Sequence, residues 1–448
     1  MIKHTTASVP TLVALTKGDL IDGQLIDVGG RLTLGDGGGG RFEWRAASTA
    51  TADAGTIFEH STGGTGRFHR IIEGDPWVTW WGAMGGDSEV DDTPLIQAAD
   101  DALVANPSIG KVLRFPSRTF YCAGLVARGP AWIGNDGYNM WTGGDGALLF
   151  KNADLDLLRL EGDYSGIIGI NLSADGFADT TDGIVIDGSR AKVVNCSVYK
   201  MGRHGISYLR GNICYFDRIV SASNGECGFY LENDPELASS MRGTYFGLMD
   251  LRGNGSHGFW SRGPVGEELP RSETNSMTCV VAQSNGGDGI RIENRSWFIV
   301  AYTENNSGVG VRLTSQSAGC FVIGMNGGVV DEDTNQSNFI WSRNMDGEAT
   351  VGTNRSYVIP HVRTKKIRVN DAGLVGYLEL TQSDAREFLI EALGSGATQT
   401  LRLKGQDSNR LDVELVGRIR LLDIGTSDPL VAGEIWNDAG TLKVSAGS

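Results

Sequence analysis

Glu232 and Glu293, with Tyr230, Trp260, Arg262, Arg291 and Arg312 around them, fall at equivalent places in one repeated phrase of this sequence. Aromatic faces stack on sugar rings, and guanidinium groups pair with carboxylate or sulfate. Two carboxylates flanking a bound glycoside are the acid and base of glycosidic cleavage. Strands of neighbouring coils in a stacked β structure lie about 4.8 Å apart, so groups two coils apart sit roughly 9–10 Å apart. That separation is near the upper end for an inverting hydrolase, where a water must fit between the two acids. The competing reading is an ion-pair ladder, Glu232–Arg262–Glu293, that merely solvates a sheet. Asp250 and Glu304, with Tyr302 nearby, are alternative acids on a second strand set; Tyr230 or Tyr302 could instead serve as the base of a lyase.

The phrase that positions these residues is a turn followed by a strand. Its copies begin at Asp182, His204, Cys227, His257, Asp288 and Val309, with glycines at 183, 205, 228, 258, 289 and 310. The steps are 22, 23, 30, 31 and 21 residues. A period in the low twenties, stretched twice by insertions, marks a solenoid of stacked coils. Strand side chains alternate, so Ile184, Ile206, Phe229, Phe259, Ile290 and Val311 share an inward column with Ile186, Tyr208, Leu231, Ser261, Ile292 and Leu313. Val185, Ser207, Tyr230, Trp260, Arg291 and Arg312 point outward. The next outward column is Asp187, Leu209, Glu232, Arg262, Glu293 and Thr314. A second strand precedes each turn, as in Lys192–Tyr199 and Phe298–Glu304. Asn-Gly pairs at 224, 254 and 285, and Asn306-Ser307-Gly308, are expected to supply the positive φ of a corner. The two insertions, 233–242 and 263–275, should wall the face bearing Tyr230 and Trp260, and they add Asp234, Glu236, Glu267, Glu268 and Glu273. His204 and His257 take equivalent turn positions, where hydrogen bonding is expected rather than metal binding.

Composition narrows the function. The chain has 448 residues, 64 glycines, 11 prolines and a formal net charge of −15. That charge argues against a nucleic-acid partner. It suits a neutral target and leaves open an acidic polysaccharide held by a local arginine cluster. No apolar stretch fits a signal peptide or membrane insertion. The six cysteines show no CxxC and read as reduced, structural thiols, with no metal and no cofactor expected.

Ahead of the repeats, 20–70 reads as short alternating strands with glycine turns, a small β domain within 1–76. The Gly37–Gly40 run lacks the lysine and hydroxyl residue of a phosphate loop. Asp91-Asp92-Thr93-Pro94, followed by Leu95, Ile96, Ala99, Ala102 and Leu103, predicts an amphipathic helix capped by Thr93 or Asp92. It should cover the open end of a solenoid spanning 77–345. Beyond it, 346–448 offers short strands from KKIRVN to TLKVS, expected to form a β-sandwich or β-prism.

WGAMGGDSEVDDTPLIQAADDAL is similar to the opening motif of pectate-lyase-like β-helix proteins, with Ser88 where a second glycine is common. GKVLRFPSRTFY resembles the strand that follows it, with Ser117–Arg118 departing from the usual glycine. The segment GGGGRFEWRAASTATADAGTIFEH…GTGRFHRI resembles the small N-terminal domain of bacteriophage tailspikes, and GEIWNDAGTLKVS resembles the ending of many phage tail proteins. The resemblance implies an all-β chain: a right-handed single-stranded parallel β-helix between a small N-terminal β domain and a C-terminal β-sandwich or β-prism. It further implies a homotrimer on a virion tail, held to a tail or baseplate protein through 1–76, that recognises and cleaves a bacterial surface polysaccharide. A tail-fibre adhesin that only binds glycan is the alternative. The resemblance carries over no catalytic residues, since a fold does not fix a reaction. Asp87, Asp91 and Asp92 are expected to cap turns. Val220, Val281 and Leu209 are the outward apolar residues expected between subunits.

Overall fold

The computed structural model describes residues 4–128, 131–134, 146–175, 180–232, 242–263, 275–332, 338–343, 348–352, 366–369, 435–438 and 441–444. The chain forms two compact units, Met1–Leu380 and Thr381–Ser448.

The period-2 alternation of the repeats becomes two stacks of parallel strands. A nine-stranded sheet contains Ile184–Asp187, Ile206–Arg210, Phe229–Leu231, Phe259–Ser261, Ile290–Ile292 and Val311–Leu313 in that spatial order. A fifteen-stranded sheet contains Lys192–Tyr199, Tyr215–Ala222, Tyr245–Arg252, Asn275–Gln283 and Trp297–Glu304. This is a parallel β-helix. The inward column pairs in register, Ile184 with Ile206, Ile206 with Phe229, Phe229 with Phe259 and Phe259 with Ile290. Every one of these side chains is fully buried. Like residues stack on like: the Phe229 and Phe259 rings lie 5.2 Å apart and nearly parallel, as do those of Phe216 and Phe246. Stacking along the axis is what lets a chain so rich in non-local parallel pairs bury a continuous core.

Three local expectations are corrected. First, the strands of the long sheet are bent. Asn195 and Arg218 have φ of 59° and 52° within them, and Val194↔Asp217 and Cys196↔Ile219 pair on either side. A left-handed residue turns the strand, so each coil has three faces where the sequence showed two. Second, the positive φ at the next corner falls one residue before the asparagines, at Ser223, Gly253, Ser284 and Asn305. The asparagines themselves form a ladder, buried at Asn224, Asn254 and Asn285. Asn224 Nδ2 donates to Asn254 Oδ1, Asn254 to Asn285 and Asn285 to Asn306, each at 2.9 Å. Stacked amides satisfy one another coil after coil, which an apolar corner would not do for the surrounding backbone. Third, the register shifts after Ile186, so Asp187 pairs with Arg210 and not with Leu209. The extra residue puts Arg210 beside Asp187, with which it forms an ion pair.

The helix Thr93–Ala105 buries Ile96, Ala99 and Leu103, and its polar residues complete the exposed edge of the short sheet. Gln97 accepts from Val126 N–H at 2.9 Å and donates to Val126 O at 3.0 Å. Thr93 Oγ1 does the same for Ala123, at 3.0 and 3.3 Å, and Asp100 accepts from Arg128 N–H at 3.2 Å. Positions 93, 97 and 100 lie on one helix face, so the helix imitates the strand that the edge lacks. Capping differs from expectation in detail. Asp91 Oδ1 accepts from Thr93 N–H at 3.0 Å. Asp92 makes no side-chain cap and accepts from Tyr121 N–H at 3.2 Å, tying the helix start to the strand Thr119–Cys122. Asp87 accepts from Glu89 N–H.

The N-terminal domain is a five-stranded sheet around Leu12, Ile26, Phe42, Trp44 and Phe68. Arg70 joins it to the segment that starts the β-helix. Its guanidinium lies 4.5 Å from the ring centroids of both Phe42 and Trp80 and donates to the Gly38 and Gly55 carbonyls. The long sheet extends past 345 with a change of direction: Phe339–Arg343 pairs antiparallel with Glu348–Gly352, which pairs parallel with Lys366–Val369. In the second unit, Ile435–Asp438 and Thr441–Val444 pair as an antiparallel ribbon. The remaining strands expected for 346–448 lie outside the described residues.

Candidate functional site

The short sheet brings the outward residues into one column, with Ser207 paired to Tyr230, Tyr230 to Trp260, Trp260 to Arg291 and Arg291 to Arg312. The ladder runs one residue beyond the strands. Glu232, Arg262 and Glu293 each donate a backbone N–H to the preceding coil, at 2.9 Å, to Tyr208, Leu231 and Ser261 respectively. The second outward column is thereby fixed as expected at these three coils.

Side-chain geometry then divides the acids. Tyr230 donates its hydroxyl to Glu232 Oε2 at 2.8 Å. Arg262 Nη1 lies 3.1 Å from that hydroxyl, to which it donates, and 3.6 Å from Glu232 Oε1. Glu293 does not share Arg262 as the simple ladder would have it. Arg291 Nε donates to Glu293 Oε1 at 2.6 Å, and Gly263 N–H approaches Oε2 at 3.3 Å. Glu232 and Glu293 thus stand on either side of Arg262–Gly263, each held by a different arginine.

Tyr230 departs from the open platform expected of it. Only 6% of the residue is exposed. His204 stacks on its ring at 4.3 Å and 14°, and Trp260 meets it edge-on at 5.4 Å. With its faces occupied by residues of the neighbouring coils, Tyr230 acts as a support. Burial pushes its phenol well above the usual tyrosine range, and the hydrogen bond to Glu232 adds to the shift against the opposing effect of Arg262. The hydrogen bond to the phenol holds the Arg262 guanidinium firmly charged. Trp260 is half-buried, with the Arg291 guanidinium 5.8 Å from its ring centroid. Its indole N–H is buried with no acceptor among the described residues.

Asp288, which sequence reasoning left in a turn, anchors the arginine end. It is buried and receives Arg312 Nε at 2.8 Å, Arg312 Nη2 at 3.3 Å and the Val309 N–H at 2.9 Å. Glu332 takes the other arm of Arg312 at 2.7 Å. Asp182, at the same repeat position, does the equivalent for Arg203 and for Ser207. The shared Asp-Gly start of these two copies was the available signal. The histidines hold turns as expected: Cys227 N–H donates to His204 Nδ1 at 3.2 Å, and Asp288 N–H to His257 Nδ1 at 2.8 Å. With Nδ1 accepting, His204 carries its proton on Nε2 and directs it at Glu226, 3.3 Å away. Burial lowers the His204 pKa to about 4, so the ring is neutral.

The alternative acids lie on the long sheet. Asp250 is partly buried, with Arg252 3.5 Å from one oxygen and the other buried without a donor among the described residues. Burial raises its pKa. Glu304 accepts from Tyr302 at 3.1 Å and Gln283 at 3.3 Å. Of the apolar residues expected at a subunit contact, Val220 is 1% exposed within one chain and offers no open surface; Leu209 and Val281 are half-buried. Of the cysteines, all free, Cys279 alone is exposed. Among the described residues no group of histidine, cysteine, aspartate and glutamate is gathered as a metal site. Asp234, Glu236, Glu267, Glu268 and Glu273 lie outside the described residues.

The parallel β-helix is the class that the fold defines, and known proteins share that fold. Residues 6–73 match the phage tail protein small four-stranded β-sheet domain. WceF of Pantoea stewartii is described as a glycan biofilm modifying enzyme with a bacteriophage tailspike-like parallel β-helix fold. It superposes with a TM-score of 0.54 at 14% identity, over 81% of this chain and 54% of that one. The tailspike protein gp49 of Acinetobacter baumannii bacteriophage Fri1, a capsular polysaccharide depolymerase, gives 0.47 at 13% identity over 72% and 71%. Tailspike protein 2 of the Escherichia coli O157:H7 bacteriophage CAB120 gives 0.47 at 14% over 78% and 51%. The chain spans about half the length of the first and last of these. No curated protein matches it in sequence.

Proposed function

We propose that this chain is a phage tailspike that binds a bacterial surface polysaccharide and hydrolyses it on the short sheet of its β-helix. The match of 6–73 to a phage tail domain supports attachment to a tail or baseplate protein and a place on the virion. The likeness to WceF supports a glycan-modifying β-helix with a tailspike-like fold. One observation carries the site: Glu232 and Glu293 flank Arg262–Gly263 beside Trp260, and the two long insertions leave the sheet there, after Glu232 and after Arg262. Glu232 and Glu293 act as the acid and base on opposite sides of a glycosidic bond, and Trp260, Arg262, Arg291 and Arg312 orient the sugars. Tyr230 is read as the support of Glu232, since its hydroxyl is committed as a donor to that carboxylate at 2.8 Å and burial raises its phenol. The chain works as a homotrimer.

The adhesin reading has one observation in its favour, that both carboxylates are already engaged by arginines. Incubation with purified bacterial surface polysaccharides, followed by sizing and ultraviolet absorbance, separates the readings. Shortened chains without new absorbance mean hydrolysis, and new absorbance from unsaturated ends means a lyase. Binding without shortening leaves the adhesin.

A further inference from the structure

The arginines of this face bear on the class of glycan, an inference that rests on the function proposed above. In a chain of net charge −15, a polyanionic glycan would need cations free to receive it. The three guanidiniums of the candidate site are all taken. Arg262 is 3.6 Å from Glu232, Arg291 is 2.6 Å from Glu293, and Arg312 lies between Asp288 and Glu332 at 2.8 and 2.7 Å. Among the described residues, Arg262, Arg291 and Arg312 thus stand against four carboxylates, Glu232, Glu293, Asp288 and Glu332. Asp288 is the least replaceable partner, because its side chain is only 4% exposed and a buried carboxylate left without its cation is strongly disfavoured.

We infer that the substrate is a polysaccharide whose repeating unit is uncharged where it meets this face, built of neutral hexoses or N-acetylhexosamines. A uronate entering here would have to take an arginine from a carboxylate already holding it, and would bring its own charge beside that carboxylate. Two such carboxylates in contact repel each other appreciably even near a protein surface, where the effective dielectric is well below that of water. Neutral sugars meet no such opposition. Carboxylates paired with arginine accept hydrogen bonds from hydroxyl groups, guanidinium edges donate to ring and hydroxyl oxygens, and the half-buried Trp260 offers apolar surface for a pyranose. The same balance disfavours uronate elimination, which needs a free cation on the substrate carboxylate to stabilise the enolate.

The test uses the intact protein and a panel of purified bacterial capsular and O-antigen polysaccharides, some neutral and some bearing uronates. Each uronate polymer is also supplied in carboxyl-reduced form, which replaces its acid by a hydroxymethyl group. The expected result is binding and shortening of a neutral member, changing less than threefold between 20 and about 200 mM salt, since no charge pair with the ligand is screened. Preferential cleavage of a native uronate polymer, lost on carboxyl reduction and falling steeply with salt, would overturn the neutral-substrate inference while leaving depolymerisation intact. Absence of both binding and shortening across the panel would overturn the proposed function and this inference with it.

Discussion

The Tyr230 hydroxyl donates to Glu232 Oε2 at 2.8 Å while receiving Arg262 Nη1 at 3.1 Å. The phenol is the hinge between an acid on one coil and a cation on the next. Val185 and Ser207, expected outward in the same column, are buried with it, and from this buried place Tyr230 fixes Glu232 without occupying the space where substrate would lie.

Replacing Tyr230 by Phe keeps the stacking on His204 and Trp260 and removes only the hydroxyl. Glycan cleavage should fall about tenfold, with a stability change of roughly 1 kcal/mol, the usual worth of one hydrogen bond. A loss of a thousandfold or more would point to the phenol as the base itself, and so to elimination.

The neutral, buried His204 ties stability to pH. Its folded pKa of about 4 lies below the ordinary 6.5, with burial as the cause and Asp182 opposing. Between those values the unfolded chain binds the proton and the folded chain does not. Stability therefore rises with pH through about 4 to 6.5 and falls on acidification, by about 3 kcal/mol over the window. His257, also lowered by burial, adds in the same direction. His204→Asn keeps an acceptor for Cys227 N–H and should flatten the dependence of Tm on pH across this range; an unchanged slope would show that the ring is not the titrating group.

Gln97 pairs with both backbone groups of Val126. Gln97→Ala exposes that edge and should cost about 1–2 kcal/mol, read as a lower Tm. It should also increase aggregation, since an uncovered strand edge recruits other strands. A variant as stable and soluble as the parent would show that the helix caps by apolar contact alone.

Asn254 links Asn224 and Asn285 through its amide. Asn254→Ala leaves buried partners on two coils unsatisfied and should cost about 2–4 kcal/mol. Faster unfolding in denaturant is the appropriate readout for a large β solenoid, whose operational stability is a rate.

The inward column was legible because strand alternation and a near-constant step both pointed at Ile184, Ile206, Phe229 and Ile290, two independent periodicities agreeing. The capping helix was legible from Asp92-Thr93-Pro94 and its apolar spacing. Other features leave no local mark. Asn195 and Arg218 bend their strands without glycine or proline to announce it. Asparagine before glycine reads as a turn, and only stacking across coils reveals the ladder. The burial of Tyr230 depends on His204, one coil earlier, reaching over its ring. At the site, residue types and columns could be read from sequence; which acid each arginine holds depends on rotamers and on Asp288, whose role requires Arg312 from the next coil.

The proposed hydrolysis rests on Glu232 and Glu293 acting together on one glycosidic bond. The direct measurement is the rate of polysaccharide shortening by the parent chain and by Glu232→Gln, Glu293→Gln and the double variant, alongside glycan affinity. Each single variant should lose at least a hundredfold in rate, in line with the contribution of a positioned acid or base, while glycan binding persists because the amide retains the shape of the carboxylate. A double variant that shortens the glycan at the parent rate would exclude Glu232 and Glu293 as the acid and base and would move the chemistry elsewhere on the solenoid.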